Sequence, residues 1–153
     1  AKAIQARKVY LVTDQPFIMS CDPGIVRDAK PLHEVSIVEA DAMARLGVKR
    51  FHRLTFKPLL DFECNIIVGS SPPRGTRISH GRPPPDLKVT APCRRAIAVI
   101  GHGSYRYAEV FSEKLRLPLA EKSTEYFLLK APMEGGLEYL EKTHGLMLEC
   151  WPQ

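Results

Sequence analysis

The 153-residue chain predicts a mixed α/β or α+β fold: a mixed sheet, about three helices, and a long extended arm rich in Pro, Gly and Arg. Three observations predict it. Short runs of β-branched and aromatic residues recur along the chain, helix-start signals stand between them, and the stretch from Gly69 to Pro92 holds six of the thirteen prolines. Strand and helix patterns alternating at this spacing are those of layered domains built around one sheet.

Val9 to Thr13 reads as the first strand, and Pro16 interrupts its continuation into Phe17–Ser20, as suits an edge or a bulge. Residues 22–33, with Pro23-Gly24 and Pro31, read as a turn-rich loop. Ser36 and Glu39 have the spacing of a capping box, which predicts a helix over 37–46 stopped by a left-handed Gly47. Val48–Phe56 and Leu59–Val68 are then expected as strands around the Lys57-Pro58 turn. After the arm, the all-apolar run Ala96–Ile100 predicts a central strand, and Ser104 is placed to cap a helix over about 105–116. Thr124–Lys130 is expected as a strand. A last helix runs from Pro132 to about Thr143, stopped by Gly145, and Leu146–Trp151 closes the chain as a strand. The whole is expected as a single domain over 1–153: a β-α-β-β part (1–68), the arm (69–92) and a β-α-β-α-β part (93–153).

Charge is unevenly spread. Residues 1–68 carry ten Lys/Arg against eight Asp/Glu, the arm four against one, and residues 93–153 eight against eight. Within 44–60 stand Arg45, Lys49, Arg50, Arg53 and Lys57 with no acid. If 48–56 is a strand, alternation gathers Lys49, Phe51 and Arg53 on one face, where cations beside an aromatic ring suit phosphates and bases. The same residues also suit a basic edge strand that resists edge-to-edge pairing. Hence Lys49, Arg50, Phe51, Arg53 and Lys57 are candidate contacts for nucleic acid or an acidic partner. In the arm, Arg74, Arg77 and Arg82 are candidate contacts, because proline-rich chain is already stiff and docks at low entropic cost.

Gly101-His-Gly-Ser104, at a strand-to-helix turn, is the candidate ligand site: Gly101, Gly103 and Ser104 for a phosphate or carboxylate, with His102 and Ser104 as catalytic candidates. The dinucleotide and P-loop patterns both fail there, since Arg106 stands where the third glycine belongs and no G-K-[ST] follows. The turn is equally explained as a tight corner with an N-cap. The histidines and the scattered Cys21, Cys64, Cys93 and Cys150 show no metal-ligand spacing, so no metal and no cofactor is expected.

No apolar run approaches the length of a membrane span. The start, Ala1-Lys-Ala-Ile-Gln, has no apolar core of a secretory signal and reads as an end left after removal of Met or a presequence. Unpaired cysteines favour an intracellular setting, whether cytoplasmic, organellar or virion-associated. The expected function is a non-enzymatic structural or accessory subunit of a larger assembly, with self or other protein subunits as partners and the arm making the contacts between them. The alternatives are a nucleic-acid-binding protein acting through 44–60 and the arm, and a small enzyme or phosphate or nucleotide binder at Gly101–Ser104.

Overall fold

A computed structural model describes residues 4–48, 51–81, 83, 85–132 and 134–152. Two compact units divide the chain: Ala1–Met19 with Pro31–Pro83, and Ser20–Lys30 with Pro84–Gln153. The boundaries cut across the expected three-part division, because an internal loop belongs to the second unit.

Unit 1 is built on a four-stranded mixed sheet. Strands β1 (Lys8–Val12), β4 (Glu34–Ser36), β5 (Asn65–Ser71) and β6 (Arg74–Ser79) lie in the order β1-β5-β6-β4. β1 runs parallel to β5, with Val12 opposite Gly69; β5 and β6 form an antiparallel hairpin; β4 runs parallel to β6. A short antiparallel pair, β2 (Ile18–Met19) and β3 (Pro31–Leu32), accompanies them. Helix α1 (Ile37–Arg45) starts where its local chemistry says it should. Glu39 N–H donates to Ser36 Oγ at 3.2 Å, and Ser36 N–H donates to Glu39 Oε1 at 2.9 Å, the reciprocal capping box. Gly47 follows at φ +77°. Val35, Ile37, Met43, Phe56, Ile66, Val68 and Ile78 are buried in this unit.

Unit 2 is a four-stranded antiparallel sheet with two helices. β7 (Val89–Cys93), β8 (Ala96–Ile100), β9 (Leu119–Lys122) and β10 (Tyr126–Lys130) take the order β7-β8-β10-β9. β8, α2 (Ala108–Leu115) and β9 form a split β-α-β with β10 between the two strands, and α3 (Gly136–Glu149) follows β10. α2 and α3 contact each other, α2 meets β9, and α3 meets β7 and β8, so both helices cover one face. Between sheet and helices lie Val99, Phe111, Phe127, Leu129, Leu140 and Met147, with the Phe111 and Phe127 rings edge-on at 5.3 Å. The exposed edge strand β9 carries Glu121 and Lys122, charges that discourage further pairing.

The mixed α/β class with three helices is therefore present, but several expected elements are replaced. The extended arm is one of them: among its described residues, most of the first part is the paired strand β6, the last part is β7, and Arg77 pairs with Glu34 at 3.0 Å. Arg74 is on β6 and exposed, and Arg82 lies outside the described residues. The strand expected over 48–56 is absent from its described part. Residues 51–56 form turns in which Phe51 packs edge-on against buried Phe56 at 5.2 Å, and Pro58 enters a 3-10 turn at Lys57–Leu59. Two aromatic rings five residues apart meet in a turn, which period-2 alternation cannot anticipate. At the carboxyl end, α3 runs through Gly145 to Glu149 and abolishes the expected last strand. Glycine costs a helix about 1 kcal/mol relative to alanine, and burial of Met147 on the next turn offsets it.

Two substitutions test this packing by urea unfolding. Phe111→Ala removes a wholly buried ring and should destabilise by about 3–5 kcal/mol. Gly101→Ala, whose new Cβ would stand 1.9 Å from Asp86 O, should cost on the order of 2–3 kcal/mol.

Candidate functional site

In an open sheet with parallel strands, ligands bind outside the carboxyl ends of those strands. β1 and β5 form one of the two parallel pairs of unit 1, and a cleft of about 430 Å³ opens there, lined by Pro16, Phe17, Ser70, Ser71 and Arg74. A narrow pocket beside it is lined by Thr13, Asp14, Gln15 and Phe17, with Phe51 and Val68.

The cleft is shaped by hydrogen bonds on either side. Thr13 N–H donates to Gly69 O at 2.8 Å and carries the β1–β5 ladder one residue further. Thr13 Oγ1 donates to Gln15 O at 2.9 Å, which turns the chain after β1. Ile18 N–H donates to Thr76 Oγ1 at 2.8 Å, and that hydroxyl donates to Leu32 O at 2.6 Å. The Tyr10 hydroxyl donates to Arg74 O. Gly69 is needed at the crossing, since a Cβ there would stand 2.6 Å from Arg74 O and 2.8 Å from Pro16 O. Phe17 is held edge-on to His33 at 5.3 Å. The exposed Asp14 carboxylate, Ser70 and Ser71 hydroxyls and Arg74 guanidinium thus stand on a framed turn pair.

Unit 2 has its own polar centre, on Ser20. This residue is wholly buried and fully engaged: its N–H donates to Lys30 O at 2.8 Å, its carbonyl accepts from Thr90 N–H at 2.8 Å, and its hydroxyl accepts from Lys30 N–H at 2.7 Å. The hydroxyl also lies 2.8 Å from Nε2 of buried His144. Burial pushes the His144 pKa below its ordinary value, opposed by the Asp28 charge and reinforced by Lys30. His144 also lines a small surface cleft with Arg27, Asp28 and Glu141.

Of the residues expected to act, Gly101, His102, Gly103 and Ser104 do meet at one turn, but their backbone donors are occupied. Gly101 N–H donates to Glu125 O at 2.8 Å, Gly103 N–H to Thr124 O at 2.7 Å and Ser104 N–H to Gly101 O at 3.1 Å. The space over Gly101 is filled by Asp86 and Leu87, and that over Gly103 by Pro85. His102 Nδ1 lies 3.5 Å from Glu125 Oε1. Ser104 is buried at the start of a 3-10 turn rather than capping α2, which Tyr107 precedes without a side-chain cap. Lys49 and Arg50 lie outside the described residues, while Arg53 and Lys57 are exposed on the 51–59 turns and are not gathered on a strand face. Sequence reasoning missed Asp14, Ser70 and Ser71, and the Ser20–His144 pair. The only local signal for the first group was a turn directly after an apolar strand. Among the described residues, no group of three His, Cys, Asp or Glu side chains could hold a metal, and no helix is long and apolar enough to cross a membrane.

Residues 1–70 match the amino acid kinase family. Lysine-sensitive aspartokinase 3 of Escherichia coli (strain K12) is 38% identical over 71 residues, which covers 46% of this chain and 16% of that protein. The structure of E. coli aspartokinase III in complex with aspartate and ADP (R-state) is similar over 95% of this chain and 38% of its own, at 26% identity and a TM-score of 0.55. The aspartate kinase of Clostridium acetobutylicum shares the fold over 92% of this chain and 54% of its own, with a TM-score of 0.69 at 11% identity. The chain thus spans about a sixth of the curated relative and between about a third and just over a half of the two solved structures. These likenesses overturn the expectation of a non-enzymatic assembly subunit, and with it the nucleic-acid-binding alternative, because the proteins they point to are kinases. The third reading, at Gly101–Ser104, falls outside the matched segment, which ends at residue 70.

The buried His144 sets a pH dependence. Its folded pKa lies below the unfolded value of 6.5, so its contribution to stability is complete above about pH 7 and is lost as pH falls below 6.5. Thermal melts should show a loss growing by up to about 1.4 kcal/mol per pH unit, and His144→Gln should flatten that slope while lowering stability at pH 7.5.

Proposed function

We propose that this chain is part of an aspartokinase-like phosphotransferase, with the cleft at the carboxyl ends of β1 and β5 serving the nucleotide and unit 2 acting as a regulatory module. The observations that carry this reading are the 38% identity over 71 residues to lysine-sensitive aspartokinase 3 and the amino acid kinase match over residues 1–70, a segment that holds β1, Pro16, Phe17 and Ser70. Phosphoryl transfer needs positioning and charge compensation more than covalent chemistry from the protein. Arg74 supplies positive charge, the Ser70 and Ser71 hydroxyls supply donors, and the Phe17 ring supplies an apolar wall of the kind that suits a base. On this reading the chain works inside the cell on a nucleotide and an amino acid, beside other protein subunits.

The regulatory role of unit 2 draws its support from the extent of the likeness, which includes unit 2 in the E. coli enzyme. It adds no catalytic group to the proposal.

Because the chain spans only part of the relatives, binding is measured beside turnover. ADP with magnesium should raise the melting temperature of the purified chain in a saturable way, by an amount equivalent to about 2.7 kcal/mol at a hundredfold excess over Kd. Arg74→Gln and the double change Ser70→Ala/Ser71→Ala should each weaken it about tenfold, as loss of charge-assisted bonds to a phosphate does. Aspartate-dependent release of ADP from ATP, with the acyl phosphate trapped by hydroxylamine, would establish the reaction. A chain indifferent to millimolar nucleotide would overturn the assignment of the cleft.

A further inference from the structure

A cleft in unit 2 has a volume of about 520 Å³ and lies between the β7–β8 hairpin and the start of α3. Its lining is largely apolar, with Ile97, Pro132, Leu137 and Leu140, and includes the exposed Arg94 and Arg95. Among the described residues, no acidic side chain lines it. Neither arginine is within ion-pair distance of a carboxylate among the described residues. The first turn of α3 also lines the cleft, and its N-cap is Gly135 with no side-chain cap, so the positive end of the helix adds to the two guanidinium charges.

Two features set this cleft apart from ordinary surface. Leu137 is a large apolar residue left 64% exposed at its edge. Arg94 occupies a left-handed position, φ +55°, at the hairpin corner between paired Cys93 and Ala96. Glycine is at ease in such a corner and arginine is strained there. An arginine therefore stands at a strained corner beside a cleft that has the size and apolar lining of a small-molecule site.

We propose that this cleft binds a small monocarboxylate with a branched or aromatic apolar body. The body covers Ile97, Leu137 and Leu140, and the carboxylate meets Arg94 and Arg95. With no acid on the lining, the site gives no partner to an ammonium group, so it favours a simple or 2-oxo acid over the matching amino acid. The inference stands on unit 2 alone and holds whether or not the cleft of unit 1 takes a nucleotide.

Isothermal titration of the full chain tests it with 3-phenylpropionate, 4-methyl-2-oxopentanoate, L-phenylalanine and the uncharged 3-phenylpropanamide. Both acids should saturate, and the amide and the amino acid should bind at least about tenfold more weakly. Arg95→Gln should weaken the acids by a similar factor, and Leu137→Glu should abolish their binding. Arg94→Gly separates ligand from structure: it should preserve or raise the melting temperature, because glycine suits that corner, while weakening the acids. Equal affinity for acid and amide, absence of saturation at millimolar concentration, or binding indifferent to all three changes would each overturn the proposal. Binding only of a peptide through its free carboxyl end would assign the cleft to a protein partner and overturn the small-ligand class. Nucleotide titrations are read separately, so failure here leaves the proposal for unit 1 distinguishable.

Discussion

Ser20 has no exposed surface, and its N–H, carbonyl and hydroxyl are all engaged with Lys30, Thr90 and His144. A buried polar group left unpaired would cost about 1–3 kcal/mol, so such a centre is stabilising only when complete. Its completion closes the 20–30 segment on itself and fixes it to β7 and α3. Cys21 and Val26 can then join Phe111, Phe127 and Met147 in one apolar core. The chain leaves unit 1 at Met19 and returns to it at Pro31, and the β2–β3 pair closes the base of that excursion. The hydrogen bonds around this one serine thus tie the inserted segment into unit 2.

Two glycines show how the same residue at a crossing leads to different chemistry. Gly69 lies within β5 and Gly101 directly follows β8, and at both a Cβ would collide with a crossing backbone, Arg74 O at 2.6 Å and Asp86 O at 1.9 Å. At Gly69 the crossing leaves the hydroxyls of Ser70 and Ser71 and the Arg74 guanidinium lining an open cleft. At Gly101 the chain's own Pro85–Leu87 segment takes the approach that a ligand would need, and the backbone donors are satisfied internally. Close approach is what the glycine permits; what approaches is decided elsewhere in the chain.

Local signals were legible where local physics dominates. The Ser36–Glu39 box, the left-handed Gly47 and the apolar run Ala96–Ile100 all specify structure through neighbours within a few residues, and α1 and β8 follow them closely. β6 was hidden because Arg74–Ser79 has the polar composition of a loop. Its strand character comes from pairing on both sides, with β5 and with β4. α3 was cut short for the converse reason: Gly145 is a local stop, yet His144 and Met147 on either side of it are buried, and their burial outweighs the local cost. The phenylalanines at 51 and 56 meet across a turn, a contact that no helical or strand period encodes.

The sequence by itself determined the class of fold, the start of α1, the central strand of unit 2 and the want of an apolar span, because composition and short-range hydrogen bonding suffice for these. The tertiary structure alone decided which parts form each unit and where the clefts open. It also decided that Ser20 meets His144, 124 residues away, and that Ser70 and Arg74 share a cleft with Pro16 and Phe17. Those encounters depend on which strands pair and in what direction, and strand pairing is governed by burial of side chains distant in the chain rather than by any residue's immediate neighbours.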